Sequence, residues 1–247
     1  MSDKVFFNDV DGNNVCGVLS NFSKNKVYIL THGLTSGKDG WTTSLLQQNL
    51  NKKKISSIRI DLYAHGESDG TYEQLTITKA VNSVMATVDF LKSKGYNDIG
   101  LYGSSFGGIV SIMAMQKHNF FCLALKCPVS DYFVLEKEHL GQLDKDTLKE
   151  WKEKGVKQHG DITLGYCFYE DFEPNQPYKI AHNITVPVLI VHGSADTVVP
   201  VEQSIKLNKL LSNSKLEIIM GANHIFERPE DFNESVTLLT EFLVKEY

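Results

Sequence analysis

A chain of 247 residues can bury one sizeable core and suits a single α/β domain. Its 42% hydrophobic and 22% charged residues are ordinary for a globular protein, and a net charge of -5 supplies no basic footprint for nucleic acid or anionic lipid. No apolar run reaches the roughly eighteen residues of a membrane span, and Met1-Ser2-Asp3-Lys4 does not lead into a signal-peptide pattern.

The opening segments Lys4 to Val10 and Asn14 to Ser20, around Asp11-Gly12-Asn13, predict a hairpin. Val27 to Thr31 and Ile55 to Ile60 are apolar enough for buried strands. From Leu75 to Lys94 the apolar positions Ala80, Val84, Val88 and Leu91 fall at helical spacing. Asp98 to Tyr102 predicts the next strand and Gly107 to Lys117 the helix after it. Strands are then expected at Phe120 to Lys126, Val186 to Val191 and Leu216 to Met220. Helices are expected at about Val201 to Leu211 and Glu230 to Lys245. This alternation predicts a mainly parallel sheet covered by helices on both faces.

Between Ser130 and Asn183 the rhythm breaks. A charged helical stretch from Leu143 to Lys157 precedes a cluster of Tyr166, Phe168, Tyr169 and Phe172, then Pro174 and Pro177. An interruption of this length is expected to form a cap or binding loops over a site, here placed at about 131–182 within one domain spanning 1–247.

Leu101-Tyr-Gly-Ser-Ser-Phe-Gly-Gly108 joins a predicted strand to a predicted helix through G-x-S-x-G. So sharp a turn strains its central serine, and side chains at Gly103 and Gly107 would meet the backbone. Ser105 is therefore the candidate nucleophile. Ser104 is out of register, flanked as it is by Tyr102 and Phe106. A serine hydroxyl needs a base, and the base needs an acid to hold its tautomer. Asp196, in the loop after Val186 to Val191, and His224, in the loop after the last predicted strand, follow in the order Ser, Asp, His. Asp131, after the preceding strand, is the alternative acid. No other histidine follows Asp196.

Taken with Thr31-His-Gly-Leu34, Arg59-Ile-Asp-Leu-Tyr-Ala-His-Gly-Glu-Ser-Asp-Gly70, Gly-Ser-Ala-Asp196-Thr-Val-Val-Pro200 and Gly-Ala-Asn-His224, these residues resemble the α/β-hydrolase superfamily over nearly the whole chain. Within it they look most similar to small bacterial carboxylesterases of the cinnamoyl (feruloyl) esterase type. The resemblance implies a mostly parallel eight-stranded sheet flanked by helices, with a cap insertion. It also implies an oxyanion hole built from the backbone amides of Leu34 and Phe106. One departure is Ala64-His65-Gly66, where that family often has Gly-His-Gly.

The expected activity is hydrolysis of small aryl or acyl carboxylic esters through an acyl-enzyme. Thioester, amide or peptide hydrolysis on the same residues is the alternative, and a non-catalytic binding module is the alternative from another class. Tyr166, Tyr169 and Phe172 are candidates for the substrate pocket, or for packing the cap onto the body. His32, His65 and His192 are expected to brace loops. No histidine or cysteine spacing suggests a metal, and no cofactor is implied. Cys16, Cys122, Cys127 and Cys167 are expected as free thiols in a cytoplasmic protein, either a monomer or a homodimer.

Overall fold

The computed structural model describes residues 2–23, 25–135 and 144–247. Strands β1 (Ser2–Asn8) and β2 (Asn14–Ser20) form the expected hairpin. They are followed by β3 (Lys26–Thr31), α1 (Trp41–Lys52), β4 (Ser57–Ile60), α2 (Ile77–Ser93), β5 (Asp98–Ser104), α3 (Phe106–Ala114) and β6 (Leu123–Lys126). After the interruption come β9 (Val188–Gly193), α8 (Val201–Leu210), β10 (Ser214–Ile219) and α9 (Pro229–Glu246).

Eight strands form one sheet in the order β1-β2-β4-β3-β5-β6-β9-β10. β2 runs antiparallel to β1 and β4, and from β4 to β10 every pairing is parallel. The strands read as continuous apolar runs because both faces are covered. Val27 and Ile29 belong to the core shared with α2 and α3, whereas Tyr28 and Leu30 belong to the core shared with α1 and α9. Leu123 and Leu125 alternate with Ala124 in the same way. Chain order reverses direction at β3, with β4 on one side and β5 on the other. Loops leaving the carboxyl ends of β3 and β5 therefore diverge and leave a crevice between them.

α2 begins where Thr76 caps it, its hydroxyl accepting from the Lys79 amide at 3.0 Å. Helix α1 is absent from the sequence reading. Its N-terminus follows Gly40 without a side-chain cap, and its buried positions include Thr43 and Gln47 beside Leu46 and Leu50, so its apolar stripe is thin. Among the described residues, the segment between β6 and β9 holds α4 (Tyr132–Val134), α5 (Lys145–Lys154), the hairpin β7 (Val156–His159) and β8 (Ile162–Gly165), α6 (Tyr166–Glu170) and α7 (Pro177–Ile180). The expected helix from Leu143 to Lys157 is shorter. Asp144 caps it, Gly155 ends it in a left-handed turn, and Val156 and Lys157 pass into β7. Leu143 itself lies outside the described residues.

No described helix is long and apolar enough to cross a membrane. The four cysteines are unpaired.

Candidate active site

Ser105 stands between β5 and α3 with φ 52° and ψ −114°, a conformation that costs a non-glycine residue on the order of 1–3 kcal/mol. The turn closes this tightly because its neighbours lack side chains. A Cβ on Gly103 would collide with the Gly107 carbonyl, and one on Gly107 would lie 2.5 Å from the His32 carbonyl oxygen. The strain lifts the Ser105 hydroxyl off the sheet edge.

That hydroxyl meets His224, in the loop after β10, with Oγ 3.1 Å from Nε2. On the other side of the ring, Nδ1–H donates to Asp196 Oδ2 at 2.6 Å. Asp196 lies in the loop after β9, its side chain fully enclosed. Its Oδ1 accepts from the amides of Val198 and Val199, both at 2.8 Å. Its Oδ2 also faces His192 Nε2 at 3.1 Å. Burial alone would raise the Asp196 carboxyl, but the bonds from His192, His224 and the Val199 amide outweigh it and hold the group well below the ordinary carboxylate range. Asp131 takes no part in this chain of bonds. Its Oδ1 accepts from the Val134 amide at 3.1 Å and caps α4.

The loop after β3 comes close to the elbow: a Cβ on Gly33 would lie 3.4 Å from that of Ser105. Ser36 N–H donates to the Gly33 carbonyl at 3.1 Å, a turn that sets Leu34 in the wall of the cleft. Phe106 opens α3, so its amide is among the first-turn donors with no carbonyl available within the helix.

His32 and His65 brace this side. His32 Nδ1–H donates to the Gly33 carbonyl at 2.8 Å, while Nε2 accepts from the Leu62 amide at 3.1 Å. This fixes a neutral tautomer, and complete burial pushes the ring down to about 3. His65 bridges the carbonyls of Tyr63 (2.8 Å) and Leu34 (2.6 Å). Ala64, where the resembling family often carries glycine, sits at φ 67°. The preference for glycine there follows from that left-handed backbone, and alanine bears a local penalty of about 1–2 kcal/mol. Beneath the loop, Asp61 accepts from the Lys38 amide at 2.7 Å, Lys38 Nζ at 2.8 Å and the Glu67 amide at 2.9 Å. Asp61 and Lys38 are both buried and tie the β3 and β4 loops together. The sequence reading missed this pair, whose members lie 23 residues apart with no motif to join them.

A cleft of about 940 Å³ opens over Ser105 and His224. Leu34, Trp41 and Thr42 form part of its wall, as do Val198, Ile225 and Phe232. From the insertion come Tyr132, Leu135 and His159. The expected pocket residues Tyr166, Tyr169 and Phe172 are not in that wall. Phe172 is 1% exposed and stacks behind Tyr132, with ring centroids 4.8 Å apart. Tyr169 packs edge-on to Phe133 and Phe172, and Tyr166 packs against Trp151 and Tyr169. The reason is what α6 packs on: in this five-residue helix Phe168 is buried against Phe106 of the body, while the half-buried Tyr166 and Tyr169 lie against Trp151 and Phe133 within the insertion. Tyr132, which touches the cleft, comes from the other end of the insertion.

Among the described residues, one trio of metal-type donors converges, namely Cys127, His192 and Asp196, all buried. Two of its members are already engaged. His192 Nδ1 accepts from the Ser204 hydroxyl at 2.7 Å, and Nε2–H is shared between the Val199 carbonyl at 2.9 Å and Asp196. The trio therefore fits a brace for Asp196 better than a ligand set. His192, read from sequence only as a structural histidine, is the further residue that positions this carboxylate.

Comparison with known proteins agrees with this architecture. Est1E from Butyrivibrio proteoclasticus, in a structure described as bound to ferulic acid, superimposes with a TM-score of 0.85 at 24% identity over 98% of both chains. The mouse serine hydrolase BPHL is 25% identical over 214 residues, 80% of this chain and 72% of that protein. The bovine mitochondrial palmitoyl-protein thioesterase ABHD10 is 24% identical over 204 residues, covering 79% of this chain. The chain spans 65% of the length of ABHD10 and about half that of the non-heme chloroperoxidases it also matches, 54% and 53%. The model of the prolyl oligopeptidase family matches residues 70–247. The elbow after β5, the eight-stranded sheet and this match over most of the chain together place the protein in the prolyl oligopeptidase family, among the serine hydrolases of the α/β-hydrolase fold.

Proposed function

We propose that the protein hydrolyses carboxylic esters through an acyl-enzyme formed on Ser105. The observation that carries this reading is the unbroken series from the strained Ser105 through His224 to Asp196, at 3.1 and 2.6 Å. Ser105 Oγ attacks the ester carbonyl carbon as its proton passes to His224 Nε2. The tetrahedral oxyanion is held by the amides of Leu34 and Phe106. Asp196, held ionised by the bonds from His192, His224 and the Val199 amide, stabilises the imidazolium. His224 then returns the proton to the departing alkoxide, and the alcohol leaves. Water, deprotonated by His224, cleaves the acyl-enzyme to release the acid and restore Ser105.

The cleft favours a small ester with an apolar or aryl half, since its wall is largely aliphatic and aromatic. A thioester is the second substrate class, because the same groups act on a carbonyl common to both and a thioesterase is among the relatives. The insertion at about 131–182 serves as a cap whose inner wall is Tyr132, Leu135 and His159. Four unpaired thiols fit a reducing cytoplasm. The test is labelling by a fluorophosphonate probe, with the modified peptide mapped, beside a panel of aryl, short-acyl and cinnamoyl esters and acyl-thioesters. Ester turnover with the probe on Ser105 is expected. A protein that turns over no ester and leaves Ser105 unlabelled is not a serine esterase.

A further inference from the structure

Lys126 ends β6 beside the elbow, and its carbonyl accepts from the Ser105 amide at 2.9 Å. Its side chain does not leave for solvent: the residue is 4% exposed and forms part of the cleft wall. Nζ lies 4.4 Å from the centre of the Phe226 ring and 5.7 Å from that of Phe232, and donates a long bond of 3.4 Å to the Thr42 hydroxyl. Thr42, Phe226 and Phe232 are themselves cleft residues. Among the described residues, no carboxylate reaches ion-pairing distance of this ammonium. Glu227, the acid of the same wall, bonds to Asn223 at 3.1 Å.

A buried ammonium is costly unless paired, and two ring faces with one weak hydroxyl contact compensate only part of that cost. Lys38 shows how this same chain satisfies a buried lysine, with Asp61 and Glu67 each at 2.8 Å. Among the described residues, Lys126 has the burial without the acids, and the space next to it is the cleft over Ser105. Resting on the ester-hydrolase reading, we propose that Lys126 is a specificity residue whose ammonium pairs with a carboxylate carried by the substrate, so that the preferred esters are anionic. The missing partner arrives with the substrate. A lysine is a compact point charge that suits a single carboxylate. Phe226 and Phe232 flank Nζ and give the carbon spacer between that carboxylate and the ester an apolar bed.

The carboxylate can belong to the acyl half or to the alcohol half, and matched pairs separate the two. Monoethyl glutarate is compared with its carbamoyl isostere ethyl 4-carbamoylbutanoate, and O-butyryl glycolate with O-butyryl glycolamide, each by pH-stat hydrolysis. In one pair the wild-type kcat/KM should favour the acid over the amide by about tenfold or more. Lys126→Met, which keeps an apolar stem, should abolish that ratio, and Lys126→Arg should keep most of it. A wild-type ratio near or below one in both pairs overturns the proposal. So does a preference that survives in Lys126→Met. So does an equal fall for acid and amide in Lys126→Met, the signature of a lysine that only supports the structure of the site. Failure of the parent reading looks different: no ester is cleaved and Ser105 takes no probe. Binding of glutarate by calorimetry then remains a readout of Lys126, and equal affinity in wild type and Lys126→Met overturns the proposal on its own.

Discussion

The loops at the carboxyl ends of β5, β9 and β10 and the insertion between β6 and β9 meet at the same cleft but are held by opposite means. In the loops, each functional atom has its own partner. Asp196 accepts from two amides and two imidazoles, and the Ser105 backbone is locked by the absence of side chains at Gly103 and Gly107. In the insertion, layered aromatic rings hold one another: Phe172 supports Tyr132, and Tyr169 supports Phe172. Hydrogen bonds of that first kind restrict the residue type narrowly. Ring packing tolerates many. The candidate catalytic residues are therefore written in motifs, and the wall supplied by the insertion in a packing that different sequences can provide.

The contrast is broken most sharply at Ser105. Ser105→Ala should reduce kcat by about a millionfold while leaving the melting temperature within a few degrees, as expected when one member of a catalytic unit is removed. Ser104→Ala, one residue away but off the elbow, should cost less than tenfold. Steady-state kinetics on a neutral ester decides between them, and comparable losses would remove Ser105 from its role.

Asp196→Asn comes next, with an expected loss on the order of ten-thousandfold, because the amide can present N–H to His224 and favour the wrong tautomer. Asp131→Asn should leave kcat nearly unchanged and keep the cap of α4, since the amide oxygen can still accept from the Val134 amide. Reversal of the two would move the acid to the loop after β6. The sequence favours Asp196, whose loop carries the Gly and Pro of a tight turn, and leaves Asp131 as the alternative. In the fold the loop after β9, and not that after β6, brings a carboxylate 2.6 Å from His224.

The same division governs what could be read without the fold. Strands buried on both faces, the serine elbow and the order Ser, Asp, His depend on local pattern and were legible from it. Helix α1 was not, for its buried face includes Thr43 and Gln47, and Gly40 gives no cap signal. Nor was the β7–β8 hairpin, whose first strand alternates exposed and half-exposed residues and buries nothing fully. Lys126 looked like the polar end of an apolar run. The rings that enclose it lie about a hundred residues later, beyond the reach of any local pattern.

In the insertion the expected effects are smaller on chemistry and larger on folding. Phe172→Ala opens a hole behind Tyr132 and should destabilise the protein by about 3–5 kcal/mol, as full truncation of a buried phenylalanine does. Tyr166→Ala, at a half-buried ring, should cost less. Denaturant melts measure both. Because Phe172 reaches the cleft only through Tyr132, its variant should shift the ranking of acyl groups by a modest factor, and Tyr132→Ala should shift it further. A larger shift from Tyr166→Ala than from Tyr132→Ala would return the specificity wall to α6.

The smallest expected effect concerns pH and tests whether Lys126 works as a cation. Burial lowers the proton affinity of Lys126 below that of an ordinary lysine, with the charge of Asp196 restoring part of it, while burial keeps the adjacent Cys127 a neutral thiol. Phe226, Phe232 and Thr42 complete its surroundings and do not titrate in this range. The ammonium is therefore lost, as pH rises, earlier than at an exposed lysine. The ratio of kcat/KM for a carboxylate ester to that for its amide isostere isolates this event, since any change in the groups that act on the shared carbonyl cancels. The ratio should fall toward one as pH rises, a change no larger than the preference itself, about tenfold. In Lys126→Arg, whose guanidinium keeps its proton, the fall should disappear while the preference remains. A ratio that stays level to high pH in the wild type would mean that the carboxylate is read by a group other than the Lys126 ammonium.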